Sequence, residues 1–194
     1  MKLNVVQGFA AAVIAASLAT GCSHQRAGAL VWHVSRAPKV RLSVVQGCLS
    51  SFSPYEDVVN TFSGPPLVPA KPRAGLVCWF NGTNLPNPGA LGRQVRLGST
   101  GAGTLANAIR ALSLKPPAVP PPACPAAFGT VATIAFSYSS RKDVGLWVSA
   151  SGCQSLDNGR LGSFEEGNPS FYVGFEGAMN QLAPEFSAPP SAQP

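Results

Sequence analysis

Apolar residues recur at helical spacing in three stretches of the chain. In each stretch they occupy positions i, i+3, i+4 and i+7, which places them on one face of a helix. The first stretch opens with Ser53-Pro54 and has Glu56 three residues after the serine, a capping box typical of a helix start. Ser99 or Thr100 can cap the second helix. The pattern predicts three amphipathic helices, with the stripes Tyr55, Val58, Val59 and Phe62; Leu105, Ala108, Ile109 and Leu112; and Phe175, Ala178, Met179 and Leu182.

Other stretches alternate between apolar and polar residues with a period of two, which is typical of half-buried β-strands. Two of them flank Arg36-Ala37-Pro38-Lys39 as a predicted hairpin, and three form a predicted antiparallel meander near the C-terminus. The last turn of the meander contains Asn158-Gly159, a dipeptide that suits a tight hairpin. The predicted strands are residues 30–35, 40–48, 76–80, 95–97, 130–139, 144–152 and 160–164.

The order of these elements indicates an α+β fold. We expect an antiparallel or mixed sheet with about three amphipathic helices packed on one face. Proline and glycine cluster in residues 64–72 and again in residues 116–122, which indicates linkers between elements.

The N-terminal segment has the three parts of a secretory signal. Met1 and Lys2 precede an apolar region, residues 5–19, that is too short and too lightly flanked for a stable membrane span. It ends in Leu18-Ala19-Thr20-Gly21-Cys22, which resembles the lipobox of bacterial lipoprotein precursors. The resemblance implies lipidation of Cys22 as the first mature residue, although Ala19 stands where a lipobox usually has leucine. The alternative is ordinary secretion with cleavage after Ala27-Gly28-Ala29.

These observations divide the chain into four parts. Residues 1–21 are a predicted lipoprotein signal peptide, and residues 22–38 a tether with a first strand. Residues 39–183 form one α+β domain, and residues 184–194 are a predicted disordered tail. The mature protein is expected at the extracytoplasmic face of the cell membrane, held by its lipid, or secreted if Cys22 is not modified.

Four cysteines remain besides Cys22. They contain no C-x-x-C pair and lie far from both histidines, which argues against a metal site. An even number in an exported chain predicts two disulfides, for which three connectivities exist. The C-terminal hairpin returns Cys153 near the strand that follows Cys124. We therefore predict Cys124–Cys153 and, by elimination, Cys48–Cys78.

The charge composition of the chain argues against one class of binding partner. Charged residues are 11% of the chain and the net charge is +6, with bases spread from Arg26 to Arg160 beyond the signal segment. A nucleic-acid-binding protein usually clusters its bases with stacking aromatics, so we expect no nucleic-acid partner. An anionic envelope surface is one partner that this charge would suit, although a solvated surface explains it more simply.

No catalytic constellation is visible, so no catalytic residue is assigned, and no metal or cofactor is expected. His24 and His33 both lie at the N-terminal edge. The S-x-x-K motif at Ser139-Ser140-Arg141-Lys142 falls in a predicted hairpin turn and has no K-T-G partner. Glu165 and Glu166 are adjacent on a strand end, where neighbouring side chains diverge. We therefore predict a protein that is not an enzyme.

Aromatic residues offer the remaining candidate site. They could line a groove for a hydrophobic or glycan ligand, although packing in the core explains most of them more simply. The groove candidates are Trp79, Phe80, Trp147, Phe164 and Tyr172.

Several motifs together are similar to those of small actinobacterial, mycobacterial-type lipoproteins of unknown function. The similarity covers residues 40–165 and supports an envelope location, but it implies no activity. The motifs are the lipobox, Cys78-Trp79-Phe80-Asn81-Gly82, the helix over residues 105–112, Cys124-Pro125, Phe136 with Tyr138, Gly152-Cys153 and Asn158-Gly159.

Three functions follow as hypotheses. The first is a lipid-anchored, non-catalytic binding module with an envelope protein, glycan or lipid as partner, and a concave aromatic pocket would favour it. The second is an exported enzyme inhibitor or immunity-type protein that uses a disulfide-framed loop, residues 81–95 or 139–143. A protruding, rigid loop would favour this one. The third is a hydrolase, which a buried carboxylate pair in a cleft would support.

Overall fold

A computed structural model of the chain describes residues 41–52, 65–114, 129–165 and 170–182. The predicted signal segment, tether, first strand, first helix and C-terminal tail lie outside these residues. The described strands are β1 (Ala74–Phe80), β2 (Leu91–Leu97), β3 (Val131–Ser137), β4 (Val144–Ser149), β5 (Ser155–Asp157) and β6 (Gly162–Phe164). The helices are α1 (Ser99–Arg110) and α2 (Gly177–Leu182), and a π-helical stretch, Phe171–Glu176, leads directly into α2.

The strands form one antiparallel sheet in the order β2-β1-β3-β4-β5-β6. This confirms the predicted antiparallel meander, with one correction. The predicted strand over residues 144–152 ends at Ser149, and a separate short strand, β5, follows. Gly152 adopts a φ of +75° between them, a conformation that glycine takes without steric cost. Asn158-Gly159 makes the predicted tight turn, but it joins β5 to β6.

Both described helices pack on the same face of the sheet, as predicted. Leu105 and Ile109 of α1 are fully buried there, and so is Phe171 at the start of the π-helical stretch. Their packing surface is the row of sheet residues that includes Ile134 and Leu146. The expected total of about three helices is not confirmed, because the predicted first helix lies outside the described residues.

The capping prediction for α1 was wrong. The N-cap is Gly98, which makes no side-chain capping hydrogen bond, and Ser99 and Thr100 lie inside the helix. The extended backbone of Gly98 directs its carbonyl towards the amide of Ala102, at 2.9 Å, so the first helical bond forms without a side-chain cap.

The other face of the sheet is covered by residues 41–52, which we call the covering segment. Leu42, Val44 and Phe52 are buried against sheet residues there. A continuous strand over residues 40–48 was predicted, and this was wrong. The alternation that predicted it is real, but the chain turns after Val44 and makes one isolated bridge between Ser43 and Gly47. Gly47, with a φ of +87°, permits the turn.

Candidate functional site

The sheet separates the residues of the predicted aromatic groove. Trp79 and Phe80 are neighbours on β1, so their side chains lie on opposite faces. Phe80 and Trp147 are buried under the covering segment, whereas Trp79 packs against the helix side of the core. Phe164 is half-buried on β6, and the side chain of Tyr172 is not among those described. Because Trp79 and Trp147 lie on opposite faces, these five residues do not line one groove.

The predicted Cys48–Cys78 disulfide is present, with its Cα atoms 5.7 Å apart. It ties the covering segment to the middle of β1. Cys153 is also disulfide-bonded. Its predicted partner, Cys124, lies outside the described residues, so the pairing Cys124–Cys153 stays a prediction. The predicted lipidation site, Cys22, lies outside them as well.

The described residues contain no group of three or more His, Cys, Asp or Glu side chains placed to hold a metal ion. Nor does any helix within the described ranges have the length and apolarity needed to cross a membrane.

Two carboxylates of the described residues, Glu165 and Glu176, are close enough to interact. From the sequence, the side chains of Glu165 and Glu166 are expected to diverge and not to pair, and the structure brings Glu176 near Glu165. Burial, and secondarily the charge of Glu165, raises the pKa of Glu176, while a hydrogen bond with the Gln154 side chain acts against this. Glu165 accepts a 2.9 Å hydrogen bond from the backbone amide of Gln154. Both glutamates are half-buried. They therefore differ from the buried pair in a cleft that would support a hydrolase.

The connection between β1 and β2, residues 81–90, is a long surface loop. It contains ten residues, whereas a hairpin loop commonly has two to five. Loops of this length inside a small fold are often functional. Its central residues are exposed, with the exception of half-buried Leu85. The exposed residues are Thr83, Asn84, Pro86, Asn87 and Pro88.

Hydrogen bonds inside the 81–90 loop hold it in one conformation. The backbone of Asn81 pairs with the end of the loop: its amide donates to Ala90 O at 2.9 Å, and its carbonyl accepts from Gly89 N at 2.8 Å. The side-chain amide of Asn81 spans the loop and donates to Pro86 O at 2.8 Å. A 3.1 Å bond from Leu85 N to Gly82 O closes a further turn.

Residues distant in sequence support the base of the loop. The Phe52 amide donates to Gly89 O at 2.8 Å, and the Leu91 amide donates to Ser50 O at 3.0 Å. Gly89 has a φ of +75°, and a Cβ atom there would lie 2.8 Å from Phe52 O. Glycine is therefore required at this position. The predicted loop of residues 81–95 is shorter than expected, because residues 91–95 belong to β2. The Cys48–Cys78 disulfide lies three residues before the start of the loop.

The other predicted loop, residues 139–143, has a different role. Asp143 bonds to the covering segment, accepting from Ser43 Oγ at 3.0 Å and from Val44 N at 2.9 Å. Arg141 lies over the ring of Tyr138, with its Cζ atom 5.8 Å from the ring centroid. These contacts connect elements of the fold to one another.

The 81–90 loop thus presents an uncharged surface of proline rings and polar side chains in a fixed shape. Such a surface suits recognition by a complementary partner and contains no nucleophile–base pair. Scans of protein-family models, curated proteins and solved structures found no match to the chain.

Proposed function

We propose that the protein is a lipid-anchored, non-catalytic interaction module of the cell envelope, with the 81–90 loop as its recognition element. The observation that carries the proposal is that the tip of this loop is exposed while hydrogen bonds within the loop and at its base hold its backbone. A loop already held in its binding conformation loses less conformational entropy when it meets a partner. The lipobox-like stretch ending in Cys22 supports the anchor, as does the resemblance to small actinobacterial lipoproteins.

A protein is the partner class that this loop suits best. Its exposed tip consists of neutral side chains and the rings of Pro86 and Pro88, with no charged residue between Asn81 and Ala90. Such a tip can enter a groove on a protein without a large cost of desolvating charges. A small hydrophobic or glycan ligand is less well supported, because the candidate aromatic residues are divided between the two faces of the sheet.

Inhibition of an exported enzyme is the second candidate function, and the same loop supports it. A rigid, disulfide-framed loop can occupy an enzyme's cleft without reorganising, as a preorganised ligand does. The proposed second disulfide, Cys124–Cys153, is supported by the oxidised state of Cys153 and would stabilise the exported fold further.

The anchor is tested by mass spectrometry of the mature N-terminus. We expect a chain that begins at lipid-modified Cys22, and we expect the Cys22→Ser variant to leave the membrane fraction. An unmodified mature chain beginning at Leu30 would overturn the anchor but would leave the proposal for the loop standing.

The recognition loop is tested by capture of partners from envelope extract with the disulfides intact. Asn87 has a φ of +51°, which aspartate also tolerates, so Asn87→Asp adds a charge at the tip with little change in the backbone. The matched control is Asn107→Asp, the same change on the exposed side of α1. We expect Asn87→Asp to lower recovery of the partner at least tenfold, and the control to leave it unchanged.

Equal recovery with both variants would show that the partner binds elsewhere. If the recovered partner is an enzyme, its activity in the presence of the purified protein separates the two candidate functions. Inhibition that Asn87→Asp relieves would favour the inhibitor.

A further inference from the structure

Cationic side chains that are far apart in sequence gather at the end of the sheet where β1 begins. There β3 ends and β4 begins, since Ala74 pairs with Ser137 and Phe136 pairs with Val144. The backbone amide of Arg73 donates to Ser137 O at 2.8 Å, which fixes the entry into β1 at this end. We call this surface the basic end, and its exposed cations are Lys71, Arg73, Arg96, Arg110, Arg141 and Lys142.

Tyr138 links two of these cations. The Arg141 guanidinium lies over its ring, and the charges of both Arg141 and Arg110 act on its hydroxyl. That hydroxyl donates to Pro69 O at 3.0 Å, and Arg110 Nη1 donates to the neighbouring Val68 O at 3.2 Å. Burial raises the pKa of Tyr138 despite the two arginines. The phenol therefore stays neutral and cancels none of the positive charge.

Asp143 is the acidic residue that the described contacts place at this end. Its carboxylate is bonded to Ser43 Oγ and Val44 N, at 3.0 and 2.9 Å. Arg96 lies in the same region, because its Nη1 atom donates to Val44 O at 2.9 Å. Among the described residues, these six exposed cations thus lie at the same end as one carboxylate that is already hydrogen-bonded. Cationic residues that are distant from one another in the sequence therefore lie together on one positive surface.

The chain also enters the described fold at the basic end. The bonds from Asp143 to Ser43 and Val44 hold the start of the covering segment there. Residues 23–40 connect this point to Cys22 and can span at most about 60 Å when fully extended. A lipid on Cys22 would therefore keep the basic end at high effective concentration near the membrane surface.

We propose that the basic end docks on an anionic phospholipid surface and orients the protein on the membrane. This inference rests on the lipid-anchored location proposed above. The cations come from a helix end, an edge strand and two loops, so a broad surface can contact several of them together. The 81–90 loop follows the other end of β1, about 20 Å away for a seven-residue strand. Docking would direct that loop away from the membrane.

The test is cosedimentation of the mature chain, residues 22–194 with Cys22→Ser, with phospholipid vesicles. This chain cannot be lipidated, so the result does not depend on whether Cys22 carries a lipid in the cell. We expect binding to vesicles that contain phosphatidylglycerol and none to pure phosphatidylcholine. Raising the salt from about 0.1 M to about 0.5 M should abolish the binding, because salt screens exposed charges.

Substitutions localise the contact. Arg73→Gln and Lys142→Gln should each weaken vesicle binding about fivefold, and together about 25-fold, as expected for one cation each near an anionic surface. The matched control is Arg93→Gln, on β2 opposite Trp79 and towards the loop end of the sheet. We expect this variant to bind within twofold of the unsubstituted chain. Circular dichroism checks that all variants are folded.

Four results would overturn the inference. Equal binding to neutral vesicles would show that charge is not the cause, and an equal loss in Arg93→Gln would show that the basic end is not the contact. Stronger binding to a soluble acidic polysaccharide such as heparin than to anionic vesicles would assign this surface to another partner. Lipidated Cys22 without vesicle binding would refute docking and leave the anchor intact.

Discussion

Asn158 joins the β5–β6 turn to the loop before β1, and its removal should destabilise the fold strongly. The residue is fully buried. Its side-chain amide donates to Leu67 O at 3.1 Å, across 91 positions in sequence. Its side-chain oxygen accepts from Arg160 N at 3.0 Å and from Leu161 N at 2.8 Å. Asn158→Ala removes all three bonds.

The expected cost follows from those bonds. Each hydrogen bond contributes about 1 kcal/mol net, and a buried group left without a partner costs about 1–3 kcal/mol. Leu67 and Leu161 are themselves 0% and 1% exposed, so water replaces the lost partners poorly. We therefore expect Asn158→Ala to lower the free energy of unfolding by about 3 kcal/mol or more.

Urea unfolding with intact disulfides measures this value. At a slope of about 2 kcal/mol per molar urea, the midpoint should fall by about 1.5 M. The matched control is Asn107→Ala on the exposed side of α1, which should be neutral or stabilise by about 0.5 kcal/mol through helix propensity. A loss below about 1 kcal/mol for Asn158→Ala, or equal losses for both variants, would refute the reasoning.

Three further predictions concern the disulfide, the loop and one carboxyl group. Replacing Cys48 and Cys78 by alanine should cost about 4 kcal/mol on the chain-entropy model, given their separation of 30 residues; denaturant midpoints measure this loss. Gly89→Ala should cost about 2 kcal/mol or more, because its φ is +75° and its Cβ would meet a carbonyl at 2.8 Å. The control is Gly103→Ala in α1, where an added Cβ atom meets nothing within 4 Å; it should stabilise by about 0.5–1 kcal/mol in the same denaturant unfolding measurement. Burial raises the pKa of Glu176 above its ordinary 4.5, so the folded state binds this proton more tightly and stability falls as the pH rises through the folded pKa. Glu176→Gln should remove that part of the pH dependence in a stability–pH profile and stabilise the protein at neutral pH.

The spacing of apolar residues predicted the sheet and α1 well. Burial of one face in the core requires apolar residues at every second position of a strand and at every third or fourth position of a helix. Ile134 and Phe136 alternate with their neighbours and point to the helix side, and Leu105 with Ile109 makes the stripe that covers them. The three-residue strand β5 is too short for alternation to mark it. The covering segment shows the alternation of a strand, yet its path depends on a bond to Asp143, which is 100 residues from Ser43 in sequence.

The candidate site was less predictable from the sequence. Trp79 and Phe80 are adjacent on a predicted strand and so point to opposite faces, which is a signal in the sequence against one groove. The 81–90 loop was visible from its asparagine, glycine and proline residues. Its rigidity was not, because Phe52 and Ser50 supply bonds to it from outside the hairpin. The basic end could not be read from the sequence either, since the fold collects cations from Lys71 to Lys142.

The two proposed surfaces place different requirements on the fold, and they lie at opposite ends of β1. A recognition loop must be rigid, and the Cys48–Cys78 bond with the covering segment supports its base directly. A membrane-docking surface needs charge more than rigidity, and side chains on loops and a helix end provide it. Because β1 separates the two surfaces by about 20 Å, a partner at the loop leaves the basic end accessible. Membrane docking and partner binding can therefore occur in the same molecule, and a substitution at one end should leave the other function nearly unchanged.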